Sequence, residues 1–193
     1  MSLLPATDDA WNSICPQADR LTGGAALSDL ATHASACENE DMLGKGWQSQ
    51  WRRVQTGLKQ VQAVYAGRDG GTDDALDAVL SFFQAVHHLK DWLGNDPLSG
   101  VSKADGDALI NGRPMLQLCA DLANGSKHLF LTRPRTGDQS TAITRNDVNI
   151  FVGTGTVAHC FYVQSAGNEY DVLQIARTAV DEWASFLTSK GLQ

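Results

Sequence analysis

Gln117, Asp121, Asn124 and His128 recur at steps of four, three and four. At about 100° per residue they fall within an arc of about 60° on one helix. Two amides, a carboxylate and an imidazole on one line can carry protons, donate and accept hydrogen bonds, or ligate a metal. Almost every other direction of residues 116–131 is apolar, with Leu116, Leu118, Cys119, Ala120, Leu122, Ala123, Leu129, Phe130 and Leu131. Such a helix is expected at the centre of a fold, its stripe facing a polar cavity or a second stripe. Unpaired buried carboxylates, amides and imidazoles each cost on the order of a few kcal/mol.

A second line of the same spacing, Gln84, His88, Asp91 and Asn95, lies on the preceding long helix. If the two lines meet inside a helical bundle, two imidazoles and two carboxylates converge, as side chains on facing helices often do. The candidate catalytic set is then His128, Asn124, Asp121, His88 and Asp91. Nearby carboxylates and a low dielectric can move a histidine into the range of acid–base work. Lys127, Arg133, Arg135, Gln117 and Gln84 are the candidate substrate contacts. The expected chemistry uses no cofactor. The alternative is a divalent transition metal on His88, Asp91, Asp121 and His128, although neither line carries the Glu that carboxylate-bridged bundles supply. Two plainer readings stand beside these: Asp73, Asp77 and Ser81 extend the first arc as a solvated face would, and the second line suits a structural hydrogen-bond network. His87, off the line, and His33 and His159 read as partly buried histidines. Ser126 is on the wrong face to pair with His128, and no GxSxG elbow or phosphate-cradling glycine loop is present.

The elements that must hold these residues are mostly helical. Short helices are expected after Thr7, limited by Pro16, and from Ser28 to about Cys37. Trp47, Trp51, Val54, Leu58, Val61 and Tyr65 alternate by four and three, which predicts an amphipathic helix ending at Gly67. Thr72 is the expected cap of a long helix to about Asn95, and residues 98–114 are expected as loop with one turn around 108–110. Pro114 suits the first turn of the stripe-bearing helix. Residues 132–146 read as an exposed loop, 148–152 and 156–163 as β-rich runs, and Asp171 with Gln174 as the start of a last helix. The fold class is mainly α: one helical domain over 1–193, with a β-hairpin or three-stranded sheet within 132–170.

Of the 193 residues, 42% are hydrophobic and 19% charged, which suits an ordinary globular domain. A net charge of −7 gives no global attraction to nucleic acid or to an anionic membrane, so any phosphate contact must be local. Lys127, His128, Arg133 and Arg135 are the candidates for such a patch. Cys15, Cys37, Cys119 and Cys160 form no CxxC pair. No apolar run approaches the ~18 residues of a membrane span, and the first residues lack a signal-peptide pattern. The expectation is a protein of the reducing cytoplasm with no membrane partner.

The run Asn124-Gly125-Ser126-Lys127-His128, set within a helical bundle, resembles the HEPN superfamily. That family's signature is an arginine, usually followed by a polar residue such as asparagine, with a histidine four to six residues after the arginine. Asn124 and His128 match the last two, and Ala123 stands at the arginine position. The resemblance covers residues 72–131 and the last helix. It implies a metal-independent ribonuclease, or a relative that only binds RNA or a nucleotide, of the kind found in toxin–antitoxin and phage-defence systems. It also implies a homodimer with the motif at the interface. His128 would be the acid–base group, oriented by Asp91 or Asp121, with Lys127 or Arg133 replacing the missing arginine at the phosphate. A metal-dependent small-molecule enzyme and a non-catalytic packing or interaction bundle are the competing classes.

Overall fold

Five α-helices, one short 3-10 helix (Pro97–Ser99) and one three-stranded sheet lie within residues 46–67, 70–128, 130–153 and 155–192, the part of the chain that the computed structural model describes, within the unit Glu40–Gln193. The helices expected within residues 7–16 and 28–37, with Cys15, His33 and Cys37, lie outside these residues. Helix α1, Trp47–Ala66, buries Trp47, Trp51, Val54, Val61 and Val64 along the face that the alternating spacing marks. It stops at Gly67, whose φ of 92° favours glycine. Helix α2, Thr72–Asn95, buries Val79, Phe82, Phe83, Val86, Leu89 and Leu93. Thr72 is its first helical residue rather than its cap, and the Asp74 carboxylate instead accepts from the Gly71 N–H at 3.1 Å.

Where one turn is expected, α3 runs for nine residues, Lys103–Asn111. Ser102 Oγ accepts from Asp105 N–H at 3.1 Å, and Asp105 accepts from Ser102 N–H at 3.0 Å. This is a capping box with Asp in the place usually held by Glu or Gln. Glycines let α3 lie close on α2: a Cβ on Gly94 would come within 2.6 Å of Lys103 Cγ and 3.1 Å of Lys103 Cα. Helix α4, Pro114–Lys127, has its proline in the first turn as expected. It ends at Lys127 instead of reaching Leu131, because His128 turns into extended backbone.

The sheet has the order β1-β2-β3, from β1 (Ala142–Ile150), β2 (Val157–Ser165) and β3 (Asn168–Asp171), antiparallel throughout. β1 begins in residues expected as loop. Its polar run shows no alternation because nearly all of it is exposed, and cross-strand pairing with β2 holds it instead. A bulge lies between Ile143 and Arg145. Helix α5, Val172–Ser189, is capped as expected, Asp171 accepting from Gln174 N–H at 2.8 Å.

Tyr65 fastens α1 to the sheet. Its hydroxyl lies 2.9 Å from the Phe161 carbonyl and 3.2 Å from Asp171 Oδ2, and it accepts from the Phe161 and Leu173 N–H groups at 3.1 and 3.3 Å. Burial, then the Asp171 charge, pushes its ionisation well above the ordinary tyrosine value. The core gathers around Trp183, Phe82, Phe83, Leu89, Leu116 and Ile175. No helix among the described residues is long and apolar enough to cross a membrane.

Candidate functional site

The two polar lines are not brought together: Gln84 Nε2 donates instead to Ser126 Oγ, off the α4 line, at 3.0 Å. His88 and Asn95 are exposed on α2, and half-buried Asp91 is held by Lys90 Nζ at 2.6 Å. On α4, Gln117 donates to the Asn111 carbonyl, Asn124 is half-buried, and His128 is exposed beyond the last turn.

Asp121 is fully buried and saturated. One carboxylate oxygen accepts from Arg135 N–H at 2.7 Å, and the other accepts from Thr136 N–H at 2.9 Å and Thr136 Oγ1 at 2.7 Å. The carboxylate therefore takes two backbone donors of the loop that follows α4, which would otherwise be stranded against an apolar helix. From there hydroxyls continue toward the sheet: Thr136 Oγ1 lies 3.2 Å from Thr141 Oγ1, which lies 2.7 Å from Ser165 Oγ. Asp121 acts on the site by fixing where Arg135 and Thr136 stand.

Arg135 is itself committed. Its guanidinium donates to Asn111 Oδ1 at 2.6 Å and to Asp107 Oδ1 at 2.8 Å, and Lys90 lies 3.9 Å from the same Asp107 oxygen. Largely buried His87, rather than His88, faces this cluster, and its Nδ1 has no hydrogen-bond partner among the described residues. Burial, then the Lys90 charge, outweighs Asp91 and holds the imidazole down to about 4. His87, Lys90, Asp107, Asn111 and Thr136 are the site residues that sequence reasoning missed. The four-residue step from Asp107 to Asn111 would have been the signal had α3 been recognised.

His87 also makes the fold acid-sensitive. Its folded value lies below the unfolded value of 6.5, so the unfolded chain binds the proton more readily. Stability is therefore intact above about pH 6.5 and should fall by about 3 kcal/mol as pH drops to about 4. The difference in urea unfolding free energy between wild type and His87→Gln should shift by about 3 kcal/mol in favour of the variant as pH falls across that window. A constant difference between the two would remove His87 from this role.

The exposed cations gather elsewhere. Lys127, His128 and Arg133 are exposed around the end of α4, and Phe130 among them is 76% exposed. Phe130 stands on the rim of a cleft of about 470 Å³ between α2, α4 and the start of β1, floored by Leu76, Leu80, Leu122 and Ile143. A larger hollow of about 560 Å³ lies between Trp47 and Trp92. Its carboxylates are engaged: Asp91 by Lys90, and Asp96 by the Trp47 and Leu98 amides at 2.9 Å each.

No family model, curated protein or solved structure matches this chain. Nor does any group of three or more His, Cys, Asp or Glu among the described residues stand close enough to hold a metal. The α4 end presents exposed Lys127 and Arg133, the His128 imidazole and the Phe130 ring. Cys119 is buried, and burial pushes its thiol well above the ordinary value, which makes it inert.

Proposed function

We propose that the chain is a cytoplasmic, HEPN-like helical domain that binds single-stranded RNA or a nucleotide at the C-terminal end of α4. The carrying observation is Phe130, 76% exposed among the exposed Lys127, His128 and Arg133 of an acidic protein. An open aromatic ring flanked by cations is what a base and its phosphate require, since the ring stacks any base and the cations neutralise the backbone. Lys127 and Arg133 contact phosphate, Phe130 stacks the base, and His128 is the group able to exchange a proton with bound RNA. Asp121 and Arg135 position the loop without touching ligand. Binding is favoured over cleavage on two grounds. Ala123 fills the position of the family's arginine, and the Asp121 carboxylate is spent on the loop.

Fluorescence anisotropy with a labelled single-stranded RNA, and separately with a labelled mononucleotide, tests this reading. Charge reversal at Lys127 and Arg133 together should lower affinity by tenfold or more and flatten its salt dependence. Phe130→Ala should cost about 1 to 3 kcal/mol of binding. Salt-independent binding, or wild-type affinity in the charge-reversed variant, would end the proposal. His128→Ala should leave affinity nearly intact while abolishing any cleavage, and unchanged cleavage would remove His128 from that role.

A further inference from the structure

β1 is the outer strand of the sheet, and among the described residues its far edge pairs with no strand. An open edge presents rows of unpaired N–H and C=O groups, and proteins guard such edges with charged side chains, proline, a bulge or a covering element. The nine residues of β1 contain neither Lys nor Pro; the strand has one bulge and two charges of opposite sign, Arg145 and Asp147, which block some registers and favour another. Toward its end Val148 is 48% and Ile150 69% exposed, and Val152 just beyond is 100% exposed.

We propose that β1 pairs with β1 of a second copy, antiparallel, about a two-fold axis at Asn146. Charge selects the register. Directly opposed residues in an antiparallel pair share a face, so the central symmetric registers lie on Arg145, Asn146 or Asp147. Centring on Arg145 sets two guanidiniums opposite each other, and centring on Asp147 sets two carboxylates opposite each other. Centring on Asn146 places Arg145 of each copy opposite Asp147 of the other, and symmetry makes the pair twice. Both side chains are about half exposed, and within one copy Arg145 Nε lies 3.7 Å from Asp147 Oδ1, so the pairing between copies extends an ion pair already present on this face. The Arg145 guanidinium also lies over Tyr162 at 3.8 Å and 3.0 Å from Glu169 Oε1, and its remaining N–H groups serve the second copy.

The same register covers the apolar surface. The bulge between Ile143 and Arg145 sets two residues against one, so Val148 of the second copy falls opposite Ile143 and its Ile150 opposite Thr141. Thr141 and Ile143 line the cleft floored by Leu76, Leu80 and Leu122. The exposed apolar end of each β1 is thereby carried to the mouth of the other copy's cleft. One register joins the open edge, the opposed charges and the cleft, and the cleft's occupant is the second copy's β1. The pairing is made by the sheet edge, and because Ser126 and Phe130 line the same cleft the interface borders the end of α4.

Light scattering coupled to size exclusion on the full chain should give twice the 20.8 kDa of one copy. Asp147→Arg alone and Arg145→Asp alone should each be monomeric, because each sets like charges opposite. An equimolar mixture of the two should form a heterodimer, with two arginines facing two aspartates. Ile150→Lys should also give a monomer, with its circular dichroism unchanged because the side chain is exposed. A monomeric wild type, or a dimer that survives both Asp147→Arg and Ile150→Lys, would overturn the interface. Two folded charge variants that fail to associate on mixing would overturn the register. If Arg145→Asp does not fold beside Glu169, the Asp147→Arg and Ile150→Lys masses decide the question alone.

Discussion

Asp121→Ala should lower the stability of the chain by about 3 to 5 kcal/mol. The substitution removes three hydrogen bonds at once and strands the Arg135 and Thr136 N–H groups beside the apolar flanks of α4. Hydrogen bonds to a charged group contribute about 1.5 to 3 kcal/mol each, and an orphaned buried donor costs about 1 to 3 kcal/mol. The contributions are not additive because the loop will relax toward water. Urea unfolding followed by circular dichroism measures the loss, and limited proteolysis should cut within residues 133–141 of the folded variant. Asp121→Asn should fall between, since one oxygen survives for Arg135 N–H while an amide NH₂ meets Thr136 N–H. An unchanged midpoint with lost RNA binding would instead make Asp121 a ligand-touching residue.

Trp183→Ala should cost about 3 to 5 kcal/mol by opening a cavity in the core. Trp183 is fully buried on α5 and meets the Phe186 ring edge to face with centroids 5.7 Å apart. Domains are stable by only about 5 to 15 kcal/mol, so this loss should bring the chain near unfolding at room temperature. Trp183→Phe should cost far less than the truncation. The ring shrinks, but the Trp183 Nε1, which has no hydrogen-bond partner among the described residues, is removed with it. Equal thermal midpoints for the alanine and phenylalanine variants would mean that the site collapses around either side chain.

Periodicity made α1, α2 and α5 legible, because each buries one face against the rest and the spacing of Val79, Phe82, Phe83, Val86 and Leu89 records it. α3 escaped because its cap uses Asp105 where Glu is usual and because Gly106 interrupts the pattern. The first part of β1, expected as loop, escaped for a different reason: a strand with both faces exposed has no alternation to show. Spacing marked His87 as partly buried and offered a solvated face for His88, but it could not show that His87 meets the Arg135 cluster. Adjacent helical residues point about 100° apart, and the rotation of α2 against α3 and the loop decides which one meets it. The end of α4 was likewise set by its surroundings, since apolar residues continue past Lys127 in the sequence.

The sequence by itself determined a mainly helical fold with a small sheet before its last helix, and it determined that Asp121 must find partners. Both follow from local chemistry, in which apolar spacing states which face is buried and a carboxylate among leucines must be satisfied. Only the tertiary structure decided that those partners are the backbone of Arg135 and Thr136, 14 and 15 residues away. It also decided that Arg135 closes on Asp107 and Asn111, and that Lys127, Phe130, His128 and Arg133 remain open to solvent. Those outcomes depend on where a loop returns. Many donors in a polar loop could satisfy one carboxylate, and the packing of α2, α3 and α4 selects among them.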